Sequence, residues 1–202
     1  MNTLVMGFEG LISYDESGTA ETYAWAAGAR RDPPQGAMAS GYVLHGLVRP
    51  LLQRHGDRME FLVFPHEAES GDPNGLPATC ARIWQQQSRA RRLVVAGHSM
   101  GGASASSLAR TLAATNTRLD LMVTIDAVST PQTPLQRWAS TARVFNFPRT
   151  LRLPVFGTID GADLQTRVPA WHIGVPGHPT VVDAVSREVG ALIAATRAVP
   201  GR

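Results

Sequence analysis

Short apolar runs alternate with longer amphipathic stretches along the chain. Each run is mostly apolar on both faces, which is typical of strands in a parallel sheet that is covered on both sides. The predicted strands are residues 4–6, 60–64, 93–96, 121–125, 143–147 and 171–175. Apolar positions recur at helical spacing between or after them, in residues 42–54, 77–89, 100–114 and 179–197. This order predicts an α/β fold with a doubly wound, mostly parallel sheet of about six strands and helices on both faces.

Two stretches lack any periodicity. Residues 13–36 are rich in Gly, Pro and charge, and residues 149–169 contain two prolines and two glycines between their ends. Both would follow strands, so both are expected at the carboxyl edge of the sheet, where sites in α/β folds form. They are candidates for shaping a pocket, or are plain surface connections. We see no repeat and no linker, and expect one domain over residues 1–202.

Composition excludes several classes of function. The chain is 44% hydrophobic and 17% charged, and no apolar run approaches the roughly 18 residues of a membrane span. All 19 basic residues are Arg, but they are scattered and the net charge is only +3, so a nucleic-acid surface is not indicated. Cys80 is the only cysteine, and no spacing of His or carboxylates predicts a metal site or another cofactor. No signal peptide is visible at the N-terminus, so we expect a cytoplasmic protein.

The segment Gly97-His98-Ser99-Met100-Gly101 carries the strongest chemical signal. An apolar strand precedes it and a helical pattern follows it, which is the strand–turn–helix setting of a nucleophile elbow. The glycines leave room for a tight turn that projects the Ser99 hydroxyl above the sheet. The turn also aims the Met100 amide and the helix N-terminus at one point, where they could stabilise an oxyanion. His98 adjoins the serine on too tight a turn to be its base, and we interpret it as a packed or hydrogen-bonded turn residue.

With this elbow the chain resembles the α/β-hydrolase superfamily, in particular small lipase- and esterase-like members with a Gly-His-Ser-Met-Gly-Gly elbow. The resemblance implies a serine, acid, histidine order along the chain. Only His172 and His178 follow Ser99. We favour His178 as the base because it lies in a loop at the sheet edge, whereas His172 falls inside a predicted strand; His172 is the alternative.

The acid has three candidates. Asp126 ends the fourth predicted strand and should emerge at the same edge as Ser99, so it is favoured. Most members of the superfamily carry the acid one strand later, where this chain offers Asp160 and Asp163 as alternatives.

A glycine-rich turn follows the first predicted strand. Residues 6–10, Met-Gly-Phe-Glu-Gly, resemble the His-Gly-x-x-Gly loop of the superfamily with Met6 in place of the histidine. By this resemblance the Phe8 amide would be the second oxyanion donor beside that of Met100. Two further residues, His66 and Glu67, follow the second strand and could line the cleft, but they precede Ser99.

These residues indicate acyl transfer to water. We expect Ser99, activated by a histidine and a carboxylate, to cleave a small-molecule ester or thioester through an acyl-enzyme. Two alternatives stay open: a biosynthetic thioesterase or acyltransferase that acts on a carrier-bound acyl group, and a hydrolase fold that serves only as a binding module.

Overall fold

Five long strands form the centre of a parallel sheet in the computed structural model of the chain, which describes residues 3–10, 14–15, 36–37, 39–66, 75–87, 90–129, 134–150 and 157–197. Short strands extend the sheet at both edges, and its order is β3-β5-β1-β6-β7-β8-β9 with every neighbouring pair parallel. The strands of the chain are β1 Thr3–Phe8, β2 Tyr14–Asp15, β3 Gly36–Ala37, β4 Ala39–Ser40, β5 Met59–Phe64, β6 Arg92–His98, β7 Leu119–Ile125, β8 Thr141–Phe147 and β9 Leu164–Gln165. Strands β2 and β4 form a separate antiparallel pair.

Helices alternate with the long strands. The α-helices are α1 Arg49–His55, α2 Leu76–Arg82, α3 Met100–Ala114 and α4 Pro179–Arg197, and π-helical segments Leu44–Val48 and Ile83–Gln87 adjoin the first two. Single 3₁₀ turns cover Gly56–Arg58 and His172–Gly174. The predicted α/β class, the mostly parallel sheet and the helical stretches are therefore confirmed.

The last predicted strand is wrong. Residues 171–175 contribute a 3₁₀ turn, His172–Gly174, instead of a strand. Pro169 and Pro176 bracket the segment and cannot donate to a sheet ladder, which disfavours a strand there. The position beside β8 is taken by β9, and a parallel bridge between Arg149 and Val168 extends that pairing past the end of β8.

The two faces of the sheet bury separate cores. On one face, side chains such as Met6 and Val95 pack with Leu108 of α3. On the other face, residues such as Val94 pack with Val185 of α4. Because the central strands β1, β6 and β7 are covered on both sides, their residues can be apolar at successive positions.

Parallel pairing brings the carboxyl ends of four strands to one edge. Strands β1, β6, β7 and β8 lie side by side and end at Phe8, His98, Ile125 and Phe147. The residues that directly follow these ends therefore share one edge of the sheet. They include Ser99 and Asp126, and the candidate site is built there.

Candidate active site

Ser99 occupies a strained turn between β6 and α3. Its backbone has φ 55° and ψ −121°, a conformation that non-glycine residues rarely adopt. A Cβ at Gly97 would lie 2.1 Å from the carbonyl oxygen of Gly101, and one at Gly101 would lie 2.2 Å from that of Phe8. Glycine is therefore needed on both sides of the serine, as predicted, because a side chain at either position would overlap backbone atoms.

The backbone of Ser99 is fixed to the end of the next strand. Its amide donates to the carbonyl oxygen of Ile125 at 3.1 Å, and its own carbonyl accepts the Val128 amide at 3.0 Å. Asp126, which lies between those two partners, also has a positive φ of 41°. Two strained polar residues are thus held side by side at the sheet edge, as at many functional sites.

Asp126 joins the site to a histidine that the sequence ranked second. Its Oδ2 accepts a hydrogen bond from Nδ1 of His172 at 2.6 Å. Its Oδ1 accepts the backbone amide of Arg149 at 3.2 Å, and Nε of the same arginine lies 3.2 Å from Oδ2. The Asp126 carboxylate is fully buried and is therefore held by a histidine, an amide and a guanidinium.

The sequence favoured His178, but the structure does not bring it to Asp126. Nδ1 of His178 accepts the Thr180 amide at 3.3 Å, and its carbonyl accepts the amides of Val181 and Val182. His178 thus caps the first turn of α4. His172 was set aside because it fell inside a predicted strand, and the 3₁₀ turn found there instead lets its side chain reach the end of β7.

His98 supports His172 from the side of the elbow. The two rings lie with their centroids 4.4 Å apart, and Nε2 of His98 donates to the carbonyl oxygen of His172 at 2.9 Å. Burial, followed by the nearby charge of His172, lowers the pKa of His98 to about 4. The sequence indicated a packed or hydrogen-bonded turn residue here, and the structure has His98 buried and hydrogen-bonded at the end of β6.

The loop after β1 lies against the serine. A Cβ on Gly10 would lie 3.0 Å from Cβ of Ser99. Phe8 itself is the last residue of β1, where its ring stacks on Phe64 at a centroid distance of 5.7 Å. Strand amides alternate between neighbours, and because the Glu9 amide donates to β5 at Phe64, that of Phe8 faces β6.

Glu9 anchors this loop to the helical segment that follows. Its carboxylate is fully buried and accepts the amides of Val43 and Leu44, each at 2.8 Å. Burial raises the pKa of Glu9, although hydrogen bonds from those amides lower it. A Cβ on Gly41 would lie 2.6 Å from Oε2, so this glycine is needed for the close approach of the carboxylate.

The other predicted carboxylates lie away from the histidines. Asp163 accepts the amide of Val144, a residue in the middle of β8, at 2.7 Å and pairs with Arg137 at 3.0 Å. It therefore lies beside the middle of this strand and not at its carboxyl end. Asp160 is exposed. Of the pair after β5, Nδ1 of His66 lies 3.1 Å from the carbonyl oxygen of Gly10, and Glu67 lies outside the described residues.

A cavity lies beside Arg149, the ion-pair partner of Asp126. It measures about 420 Å³ and is lined by Arg149, Thr150, Pro169, Ala170 and Trp171. Trp171 directly precedes His172 and is 79% exposed, and Ile173 on its other side is 51% exposed. The irregular stretch 149–169 therefore contributes to a pocket where it is described, whereas nearly all of stretch 13–36 lies outside the described residues.

The sequence missed two residues of the site. Nothing local marks Arg149, because its contact with Asp126 spans 23 positions along the chain. Glu9 could have been noticed as a charged residue within an apolar turn, a pattern that indicates a buried and compensated carboxylate.

Within the described part of the chain, no cluster of three or more His, Cys, Asp or Glu side chains could hold a metal ion. In the same residues, no helix is long and apolar enough to cross a membrane.

Comparisons with known proteins give one family. The model of the family described as "Lipase (class 3)" matches residues 18–172. Among solved structures, ClbQ from the colibactin NRPS/PKS pathway is 13% identical, with a TM-score of 0.49 and coverage of 96% of this chain and 100% of that chain. A candidate cell surface hydrolase from Lactobacillus plantarum WCFS1 is 11% identical, with a TM-score of 0.43 and coverage of 97% and 90%. No protein with a curated description matches the sequence.

Proposed function

The chain belongs to the class 3 lipase family and is a lipase-like hydrolase of the α/β-hydrolase type, and from that premise we propose that it hydrolyses carboxylic esters with Ser99, His172 and Asp126 as its triad. The single observation that carries the proposal is the 2.6 Å hydrogen bond between Nδ1 of His172 and Oδ2 of Asp126, at the edge of the sheet that also carries Ser99. A serine hydroxyl needs such a histidine, and the histidine needs such a carboxylate.

Asp126 selects the tautomer of the base. A carboxylate that accepts from Nδ1 places the proton of a neutral imidazole there, which makes Nε2 of His172 the basic nitrogen. His98 holds the backbone of the same residue through its carbonyl oxygen. The base is thus fixed at both its ring and its main chain, as general-base catalysis requires.

The proposed reaction uses these three residues in turn. Oγ of Ser99 attacks the carbonyl carbon, its proton passes to Nε2 of His172, and the carbonyl π electrons move to oxygen. When the tetrahedral species collapses, the bond to the leaving alcohol breaks and His172 protonates that oxygen. Water repeats the sequence on the acyl-enzyme, releases the carboxylic acid and restores Ser99.

Main-chain amides would stabilise the oxyanion. Met100 is the first residue of α3, and the amides of a first helical turn have no partner within the helix. For the second donor, Phe8 stays the prediction from the family resemblance. Because the Phe8 amide faces the neighbouring strand β6, we favour the main chain at Gly10 as the second donor. Gly10 lies against Ser99. One such donor is typically worth roughly 3 kcal/mol of barrier.

The cavity beside His172 is proposed to receive the acyl chain. Three of its lining residues, Pro169, Ala170 and Trp171, present apolar surface, and they lead directly into the residue that carries the base. A concave apolar wall in the segment that leads to His172 would favour substrates with a hydrocarbon chain over very short esters.

A serine-directed probe tests the proposed triad. Purified protein is treated with a fluorophosphonate, and the labelled residue is identified by mass for the wild type, Ser99→Ala, His172→Gln and His178→Gln. We expect labelling at Ser99 in the wild type, none there in Ser99→Ala, and a rate in His172→Gln that is lower by roughly 10³-fold or more.

His178→Gln is the matched control. It changes the other histidine that follows the elbow, at the start of α4, and should label within about twofold of the wild type. Rapid labelling of His172→Gln together with slow labelling of a folded His178→Gln would return the role of base to His178. A folded wild type that does not react at all would support the binding module instead.

Product analysis then separates hydrolysis from acyl transfer. Free acid from an oxygen ester supports the proposal. Turnover of thioesters alone, or transfer to an added alcohol or thiol without release of acid, would contradict it.

A further inference from the structure

Arg149 contacts the same carboxylate as the proposed base. Its side chain is only 9% exposed, its Nε lies 3.2 Å from Oδ2 of Asp126, and that same oxygen accepts the bond from His172. We propose that Arg149 is a positioning residue of the triad, whose charge balances that of the buried Asp126 carboxylate and sets how strongly this carboxylate stabilises a positive charge on His172. This inference rests on the proposed function and concerns the charge balance of the same site.

The burial of Asp126 makes a compensating charge necessary. Its side chain is fully buried, and an isolated carboxylate in such a place would take up a proton rather than stay charged. A general base must be neutral before the reaction begins, so His172 cannot supply the charge in the resting enzyme. Arg149 is permanently charged and lies in contact with the carboxylate, so it can supply that charge.

Sharing one oxygen has a second consequence. During the reaction His172 becomes an imidazolium that Asp126 attracts, while Arg149 on the same carboxylate repels it. The imidazolium is therefore stabilised less than it would be beside an unshared carboxylate. Such a histidine releases its proton to the leaving group more readily.

The backbone fixes Arg149 in this position. Its amide donates to Oδ1 of Asp126 at 3.2 Å, and it forms a bridge with Val168. The neighbouring Thr150 amide donates to the carbonyl oxygen of Val168 at 3.0 Å. The segment that leads to His172 and the segment that carries Arg149 are thus paired, so the guanidinium stays in register with the acid and the base.

The described contacts of this pair involve two further ionisable side chains, Arg149 and His98. His172 faces Asp126 and the ring of His98, and Asp126 faces Arg149 and His172. Burial lowers the pKa of His98 to about 4, so that ring stays neutral over the pH range of the test.

The experiment compares Arg149→Met and Arg149→Lys with the wild type. The value of kcat/KM for a short p-nitrophenyl ester is measured between about pH 5 and 9, and unfolding in urea is followed in parallel. In Arg149→Met, the acid limb should move to higher pH by roughly one unit, so kcat/KM at pH values below the limb should fall by about tenfold. The limb moves up because an unshared carboxylate holds the imidazolium of His172 more tightly.

Arg149→Lys keeps the charge and should leave the acid limb within about 0.3 unit of the wild type. Arg143→Met is the matched control, since Arg143 lies in β8 and, like Arg149, pairs with a carboxylate, here that of Glu188. It should change neither the limb nor kcat/KM. If Arg149→Met does not fold, Arg149→Gln removes the same charge with a polar side chain and is measured instead.

A folded, uncharged variant at position 149 whose acid limb coincides with that of the wild type would overturn the inference. So would an equal shift in Arg143→Met. These failures are distinguishable from failure of the proposed function, because the wild type would still hydrolyse esters and label at Ser99. A wild type without either property contradicts the triad itself.

Discussion

Nε2 of His98 lies 2.9 Å from the carbonyl oxygen of His172, and the two imidazole rings lie with their centroids 4.4 Å apart. The residue before the proposed nucleophile therefore holds the residue proposed as its base. Because His98 ends β6 and is buried, it ties the 3₁₀ turn of His172–Gly174 to the rigid sheet.

Replacement of His98 should slow catalysis without abolishing it. His98→Phe keeps an aromatic ring but removes the donor, so His172 loses one of its restraints and kcat should fall by roughly tenfold. His98→Gln can place an amide N–H near the position of Nε2 and should lose only about threefold. Steady-state kinetics on an ester substrate measure both, with KM close to that of the wild type. Equal kcat values for His98→Phe and the wild type would show that this hydrogen bond does not position the base.

The same histidine should make the fold sensitive to acid. The pKa of His98 is lowered from 6.5 to about 4, mainly by burial, so the unfolded chain takes up a proton before the folded protein does. The contribution of His98 to stability is complete above pH 6.5 and is lost as the pH falls towards 4. Over that window it amounts to about 3 kcal/mol.

Urea unfolding at a series of pH values measures this effect as a difference between the wild type and His98→Gln. The variant lacks the titrating group, so the difference in unfolding free energy should shrink as the pH falls from 6.5. The buried Glu9 is present in both proteins and cancels in the comparison. A difference that stays constant over the window would contradict the prediction.

The elements near the site were predictable because their signals are local. Met100–Ala114 and Pro179–Arg197 agree with the helices expected from apolar spacing, and the glycines around Ser99 mark the turn itself. The position of His172 was not predictable in the same way. Residues 171–175 form an apolar run that resembles a strand, and only the pairing of β9 with β8 shows that the sheet position is already taken.

Charge compensation at the site is also invisible in the sequence. Arg149 and Glu9 act through partners 23 and 34 positions away, and no periodicity links residues at such separations. Ser99 and Asp126 could be named as candidates because each directly follows an apolar strand. The assignment of the base requires the path of a loop that carries no regular pattern.

Gly97 should not tolerate a side chain. A Cβ there would lie 2.1 Å from the carbonyl oxygen of Gly101, and neither backbone can move without displacing the elbow. We expect Gly97→Ala to lower the free energy of unfolding by roughly 3 kcal/mol or more and to abolish labelling of Ser99. Gly190→Ala, in the middle of α4, is the control and should be neutral or slightly stabilising, since its Cβ would meet only Cε1 of His55 at 3.4 Å. A Gly97→Ala protein with wild-type stability and labelling would show that the turn is less constrained than these contacts indicate.

Trp171 should set the preference for acyl chain length. It lines the cavity beside His172, and its removal takes away apolar surface that a longer chain would cover. We expect Trp171→Ala to lower kcat/KM for p-nitrophenyl octanoate by roughly tenfold and to change the value for the acetate by less than about twofold. Ile173→Ala is the matched control, because Ile173 flanks His172 on the other side, is also exposed and is not part of the cavity lining. If both variants lose activity equally on both esters, the effect lies in the placement of His172, and the acyl chain binds elsewhere.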